Sequence, residues 1–205
     1  MNIYEERVLP YLVNLVCSSK PASKQRQKIV PYAEGEVLEI GSGTGLNFPF
    51  YDIQKVKKLY ALEPSEGMQV LAKKAPRNSK LNIEFITMPC EELSFDEASI
   101  DTIVITYALC TIPNVELALQ QLFKVLKPKG KLLFSEHGSA PDESIKFLQN
   151  IVNPLWRKLS GGCNLNRNIP LLLKDAGFIL KQDERMYIPG YRLFTYNYWG
   201  TAVKS

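Results

Sequence analysis

A carboxylate and three alternate glycines stand together in Val37-Leu-Glu-Ile-Gly-Ser-Gly-Thr-Gly45, where an apolar run passes straight into a turn. Glycines at Gly41, Gly43 and Gly45, with Ser42 between them and Asn47 just beyond, let a backbone bend sharply and approach a ligand with no Cβ in the way. A plain tight turn needs fewer. A dinucleotide fingerprint would read G-x-G-x-x-G, but Leu46 stands where its last glycine belongs, so the spacing disfavours a nicotinamide dehydrogenase. Glu39 points the same way, because a carboxylate beside the loop would repel a pyrophosphate and attract a cation. S-adenosylmethionine (SAM), which carries a sulfonium and an ammonium and no phosphate, fits that demand.

Glu63 ends the next apolar run, Tyr60-Ala-Leu-Glu, followed by Pro64 and, within the next segment, Met68. An acidic group there is placed to accept both ribose hydroxyls of an adenosine at the switch point of an open sheet. Further on, His137 follows an apolar run that reads as a strand ending at Ser135, at the carboxyl edge where open sheets bind ligands. It is the candidate for substrate contact or proton transfer. Glu136 beside it points to the opposite face. The stretch Gly161 to Arg167 mixes flexible glycines with Cys163, Asn164, Asn166 and Arg167, which reads as a lid or pocket wall, with Asn166 as the possible N-cap of the helix that follows.

The elements that would position these residues can be read from periodicity. Val37–Ile40, Leu59–Leu62, Ile83–Met88, Ile100–Thr106 and Lys131–Ser135 are apolar on both faces and alternate with helical segments, the pattern of a parallel sheet covered on both sides. Ser65 is placed to cap a helix from Glu66 to about Ala75, Asn114 one from Val115 to Leu126, and Ile169 to Ala176 reads as a third that stops at Gly177. Phe178–Ile188 and Arg192–Val203 read as two long strands around Pro189-Gly190, and the first 35 residues or so as two helices. In the first of these Tyr4, Val8, Tyr11, Leu12 and Leu15 share a face, read as core packing with a lid over the pocket as the alternative. The expected architecture is one α/β domain over 1–205. It holds a Rossmann-like, seven-stranded, mostly parallel doubly wound sheet with one antiparallel strand and an N-terminal helical cap. Residues 1–35 are the helices, 36–136 the cofactor core, and 137–205 the substrate side and the final hairpin.

Composition excludes several classes. The 205 residues are 45% hydrophobic and 22% charged, a globular balance, and the +4 net charge comes from scattered lysines, with local excesses at Lys20–Lys28, Lys55–Lys58 and Lys124–Lys131. These read as solvated faces, so no nucleic-acid partner is expected. Glu5, Glu6 and Arg7 precede the short run Val8–Cys17, which Pro10 and Asn14 interrupt; neither a signal peptide nor stable membrane insertion is expected, and the reading is cytoplasmic. Cys17, Cys90, Cys110 and Cys163 show no CxxC spacing and the sole histidine completes no Cys/His cluster in sequence, so no metal site and no disulfide framework is expected.

From Val37 to Ser135 the chain resembles the class I SAM-dependent methyltransferases. Pro89-Cys-Glu-Glu-Leu-Ser-Phe95 before Ser99-Ile-Asp101 is similar to the family's D-A-E-x-L-P-F turn before F-D, and Val125-Leu-Lys-Pro-Lys-Gly-Lys131 precedes the fifth strand as in the family. That resemblance implies SAM as cofactor, the Cys90 backbone and the Glu91 side chain at the adenine, and Thr106, Tyr107 and Leu109 around the methionine end and the methyl group. Pro89 replaces the usual acidic residue. Asn47-Phe-Pro-Phe-Tyr51, Ala108-Leu-Cys-Thr111, Ser135-Glu-His137 and Gly161-Gly-Cys-Asn-Leu-Asn-Arg167 look like bacterial relatives of the mammalian methyltransferase-like proteins that methylate alkyl thiols. The implied activity is methyl transfer to a small, rather apolar acceptor, with a thiol sulfur leading. An oxygen, an amine or a lipid head group remains open, as does a SAM-binding module without catalysis. Leu109, Cys163, Asn164 and Arg167 are the candidate substrate contacts.

Overall fold

The computed structural model describes residues 8–204. Helices α1 (Leu9–Cys17) and α2 (Lys20–Ile29) precede the sheet. Its core runs β1 (Gly35–Ile40), β2 (Val56–Leu62), α3 (Glu66–Ala72), β3 (Ile83–Ile86), β4 (Ile100–Thr106), α4 (Val115–Val125) and β5 (Leu126–His137). The chain continues through α5 (Glu143–Leu159), α6 (Ile169–Asp175), β6 (Phe178–Tyr187), the short α7 (Arg192–Thr195) and β7 (Tyr196–Lys204). One seven-stranded sheet results, ordered β3-β2-β1-β4-β5-β7-β6. Strands β1 to β5 pair in parallel, and β7 lies antiparallel between β5 and β6.

Alternation along the central strands builds a core on each face. Leu38, Ile40, Ile103, Ile105, Leu132 and Phe134 pack on one side with Leu119 and Leu122 of α4 and Leu173 of α6. Val37, Val104 and Leu133 pack on the other with Ile29 of α2 and Ala72 of α3. This two-sided burial is what the continuous apolar runs demand. The strand order reverses between β1 and β4, and the loops after both strands meet there.

Several element boundaries differ from the sequence reading, each for a local reason. Ser65 and Asn114 cap α3 and α4 as read, accepting from Met68 N at 3.3 Å and Leu117 N at 3.1 Å. Helix α3 stops at Ala72, where the Arg77 guanidinium takes the Ala72 and Lys73 carbonyls. The cap of α6 is Asn168, accepting from Leu171 N, while the Asn166 amide donates to Asn150. Residues Arg192–Thr195 form a helical turn before β7 rather than its first residues.

Helix α5 was not anticipated. Phe147, Ile151, Leu155 and Leu159 recur every fourth residue, but this apolar stripe faces outward, and Pro154 interrupts the pattern. Its two buried residues are polar. Gln149 accepts from Ala140 N and donates to the Gly138 and Leu193 carbonyls, and Asn153 accepts from Leu165 N, so the helix brackets the segments around the end of β5 by hydrogen bonds.

Candidate active site

A cavity of about 910 Å³ opens at the carboxyl ends of β1, β2 and β4. The glycine loop forms its floor. Gly43 has φ +53°, and a Cβ built there would meet nothing nearer than 3.8 Å, so only hydrogen keeps that space open. Gly41, at φ +64°, is fixed by packing instead, since a Cβ there would lie 2.6 Å from the Cβ of Ala108. Two carboxylates hold the loop. Glu63 accepts from Gly43 N at 2.9 Å and from Ser65 N at 3.0 Å. Burial raises its carboxyl and the two N–H donors pull it back.

Glu39 is almost fully buried, accepting from Asn47 Nδ2 at 2.9 Å and Tyr51 Oη at 2.8 Å. Burial pushes it up to about 7 against those hydrogen bonds. Asn47 also donates to Thr106 Oγ1 at 3.0 Å, which links the loop after β1 to the end of β4. The Ser42 hydroxyl is buried without a partner. Pro64, Met68, Cys90 and Glu91 complete this wall; burial lifts the Cys90 thiol to about 12, and Glu91 accepts from Asn114 N at the start of α4.

The opposite wall comes from distant segments. Tyr107, in the left-handed conformation at φ 55°, donates its hydroxyl to Asn197 Oδ1 at 2.8 Å, and burial holds that phenol above its ordinary range. The Arg26 guanidinium lies 5.0 Å from the centre of its ring. Leu9, Val13 and Cys17, four residues apart on α1, face the cavity, and Asn14 accepts from Thr44 Oγ1 of the glycine loop at 2.6 Å. Thr111, Ile112, Gly161 and Gly162 close the rim.

Behind Tyr107, His137 stacks at 6.5 Å between ring centres, and its Nε2 lies 3.1 Å from Cys163 Sγ. Cys110 joins them, the three ligand-type atoms falling within 4.8 Å of one another. The Cys110 thiol hydrogen bond, and then the neighbouring His137, lower Cys163 to about 4 despite its burial. Burial alone would lower His137, but Cys163 beside it leaves the imidazole raised. Glu136, pushed up to about 7 by burial, accepts from Ala108 N at 2.7 Å and Leu109 N at 3.1 Å, fixing the turn after β4.

Residues 38–134 match the methyltransferase domain family. Human thiol S-methyltransferase TMT1B is 33% identical over 88% of this chain and 79% of its own. The chain belongs to the class I SAM-dependent methyltransferases. Human thiol S-methyltransferase TMT1A is 29% identical, covering 95% of this chain and 85% of its own. A solved SAM-dependent methyltransferase from Thermotoga maritima shares the fold at TM-score 0.67 and 22% identity, over 99% and 98% of the two chains. The cofactor of this methyltransferase is SAM, and the cavity fits it. An orphaned serine hydroxyl, a glycine face open to the cavity and two buried carboxylates suit an adenosine and a cationic amino acid.

Of the residues expected at the cofactor, Glu39, Gly41, Ser42, Gly43, Asn47, Glu63, Pro64, Met68, Cys90, Glu91, Thr106 and Tyr107 line the cavity of the methyltransferase. Gly45 does not; it packs against Phe48 and Ala75. The expected acceptor residues fall elsewhere. Leu109 is wholly buried, and Arg167 donates to the Leu109 carbonyl and, at 2.8 Å, to that of Ile112. Asn164 donates to the Cys110 and Gly162 carbonyls, at 2.8 and 3.0 Å. These are pins behind the wall. His137 turns Nε2 toward Cys163, and neither lines the cavity.

Three expectations are corrected. Val8, just before α1, and Tyr11, Leu12 and Leu15 within it are exposed rather than core, and the smaller stripe of Leu9, Val13 and Cys17 turns inward; Tyr4 lies outside the described residues. Arg26, within a basic stretch that reads as solvated, is 4% exposed and lines the cavity. The single histidine does meet two cysteines, which the fold gathers from segments far apart in sequence.

Proposed function

We propose that this methyltransferase carries the SAM methyl group to the sulfur of a small, rather apolar thiol, working as one cytoplasmic domain with no nucleic-acid partner. The observation that carries this is the acceptor side of the cavity. Leu9, Val13, Ile112 and Pro113 supply apolar surface there, and no imidazole lines it. A thiol of ordinary pKa near 8.5 is already partly thiolate at neutral pH, so it asks less of a base than an alcohol or an ammonium does. The relatives named thiol S-methyltransferases support the same choice. Among the described residues no helix is long and apolar enough to cross a membrane.

When bound, SAM supplies a sulfonium methyl group open to in-line displacement. The chain's own residues align and shield. Glu63 is assigned to the ribose hydroxyls while it holds Gly43 N, and Glu39 to the cationic methionine end. Pro64, Met68, Cys90 and Glu91 are assigned to the adenosine side, and Thr106 and Tyr107 to the methyl group. Helix α1 lines the cavity with Leu9, Val13 and Cys17, apolar surface that disfavours water beside the methyl group and so favours transfer to sulfur over hydrolysis. Labelled SAM offered with alkyl thiols, phenols, amines and phospholipids tests the acceptor class: thiols should turn over fastest, and equal or faster transfer to a phenol, amine or phospholipid would overturn the thiol assignment.

A further inference from the structure

Cys110, His137 and Cys163 come from three separate segments: the turn after β4, the end of β5 and the loop after α5. Their ligand atoms lie within 4.8 Å of one another, with His137 Nε2 and Cys163 Sγ at 3.1 Å. A tetrahedral d10 cation with Zn–S near 2.3 Å and Zn–N near 2.0 Å places such atoms about 3.5–3.8 Å apart. The observed spacing brackets that value. We propose that the triad is a binding site for one thiophilic d10 cation of the Zn(II) or Cu(I) class, held by two thiolate sulfurs and one imidazole nitrogen with a fourth position left for water or an external sulfur.

The surroundings are those of a ligand shell. The two cysteine-bearing loops are clamped to each other, since the Cys110 carbonyl accepts from both the backbone N–H and the side-chain amide of Asn164, each at 2.8 Å. Arg167 pins the same turn through the Leu109 and Ile112 carbonyls. Preorganised backbone of this kind keeps donor atoms from collapsing apart when no ion is held. Two buried groups lie beside the triad: the Trp156 indole, whose N–H is directed at the Cys163 sulfur, and Glu136, whose Oε2 has no hydrogen-bond partner among the described residues. An N–H aimed at a thiolate and a carboxylate at the rim are typical outer-shell groups. Glu136 Oε1 is held by Ala108 N and Leu109 N, and the three clustered ligand atoms are those of Cys110, His137 and Cys163.

The donor set selects the ion. Two sulfurs and an imidazole favour soft or borderline cations over Mg(II) or Ca(II), which want oxygen. In the bound state both cysteines are thiolates and the imidazole is neutral, so the two thiolates balance a dication. A bound ion would cross-link three segments behind the acceptor-side wall, next to Tyr107 and Gly162, which line the cavity. The inference does not depend on which acceptor is methylated.

The test uses the full chain, kept reduced, titrated with Zn(II) against a chromogenic chelator and separately with Co(II). One equivalent should bind, and the Co(II) form should show the intense visible bands and near-ultraviolet sulfur-to-metal transitions of a tetrahedral thiolate site. C110S, C163S and H137A should each weaken Zn(II) binding by about 100-fold or more, beyond the range of an outer-shell change. C17S and C90S should leave it unchanged. Circular dichroism and SAM titration on the same samples establish that each variant is folded. No uptake by the reduced wild type, or uptake that survives in folded C110S and C163S, overturns the proposal. So does a Co(II) spectrum without sulfur transitions. Zinc binding is read without acceptor, so a failed thiol assay and a failed metal site are separate results.

Discussion

The two walls of the cavity are built differently. The cofactor wall is polar and internally paired: Glu39 with Asn47 and Tyr51, Glu63 with Gly43 and Ser65, Asn47 with Thr106. The opposite wall joins apolar side chains of α1 to the Arg26 guanidinium of α2, the turn after β4 and the loop after α5, with its sulfur and imidazole groups set behind it. Hydrogen bonds at fixed geometry suit a ligand that never changes. Apolar contact, which lacks direction, suits acceptors that share only size and greasiness. The methyltransferase thus has one wall held by paired polar groups and another in which apolar side chains stand beside a buried guanidinium.

The largest expected effect breaks the cofactor wall at its floor. G43V should weaken SAM binding by at least about 100-fold, because the left-handed φ of +53° resists a β-branched side chain and that side chain would enter the cavity. Isothermal titration reads it, and near-normal SAM affinity would place the cofactor elsewhere. E63A comes next. Removing a charged hydrogen-bond partner costs roughly 1–3 kcal/mol of SAM binding. Because Glu63 also holds Gly43 N and Ser65 N, the melting temperature should fall too. An unchanged affinity would remove Glu63 from the site.

A smaller effect sharpens the electrostatic side of the comparison. Before SAM binds, burial keeps Glu39 largely neutral below about pH 7 even with Arg26 nearby, so the stability it contributes is present at acid pH and fades as pH rises through that value. The ammonium of SAM favours the ionised form. Affinity for SAM should therefore rise by about fivefold or more from pH 6 to pH 7.5, with proton release on binding at the acid end. In E39Q the slope should vanish. A wild-type affinity that is flat over that interval would take Glu39 away from the methionine end.

How much of this was legible in the sequence follows the same division. Glu39, Gly41, Gly43 and Glu63 sit in or beside a strand-turn unit whose spacing carries its own geometry, so their places could be read directly. The two-faced sheet was legible for the same reason, since burial on both sides writes a continuous apolar run. Arg26 was not, because a guanidinium turned inward looks, in a lysine-rich stretch, like any solvated charge. Helix α5 was hidden by its inversion, with Gln149 and Asn153 inside and its apolar stripe outside. The Cys110, His137 and Cys163 cluster has no spacing signature, as His137 and Cys163 alone are 26 residues apart and only the sheet order brings them together.

The smallest expected effect concerns a side-chain hydrogen bond that joins the two walls directly through α1. Asn14 Oδ1 accepts from Thr44 Oγ1 at 2.6 Å, tying the covering helix to the glycine loop. Thr44 is nearly buried and Asn14 half-buried, so the bond is worth about 1 kcal/mol net. N14A should then raise SAM dissociation by about fivefold, with little change in turnover at saturating acceptor, because the variant loosens the cover without touching the reacting atoms. T44V should do the same. If the latch is what α1 contributes, the double variant should be no worse than either single one, since the second change removes a bond already gone. Additive losses would mean that Asn14 and Thr44 act separately, and that α1 rests on the loop through Leu9, Val13 and Cys17 rather than through a latch.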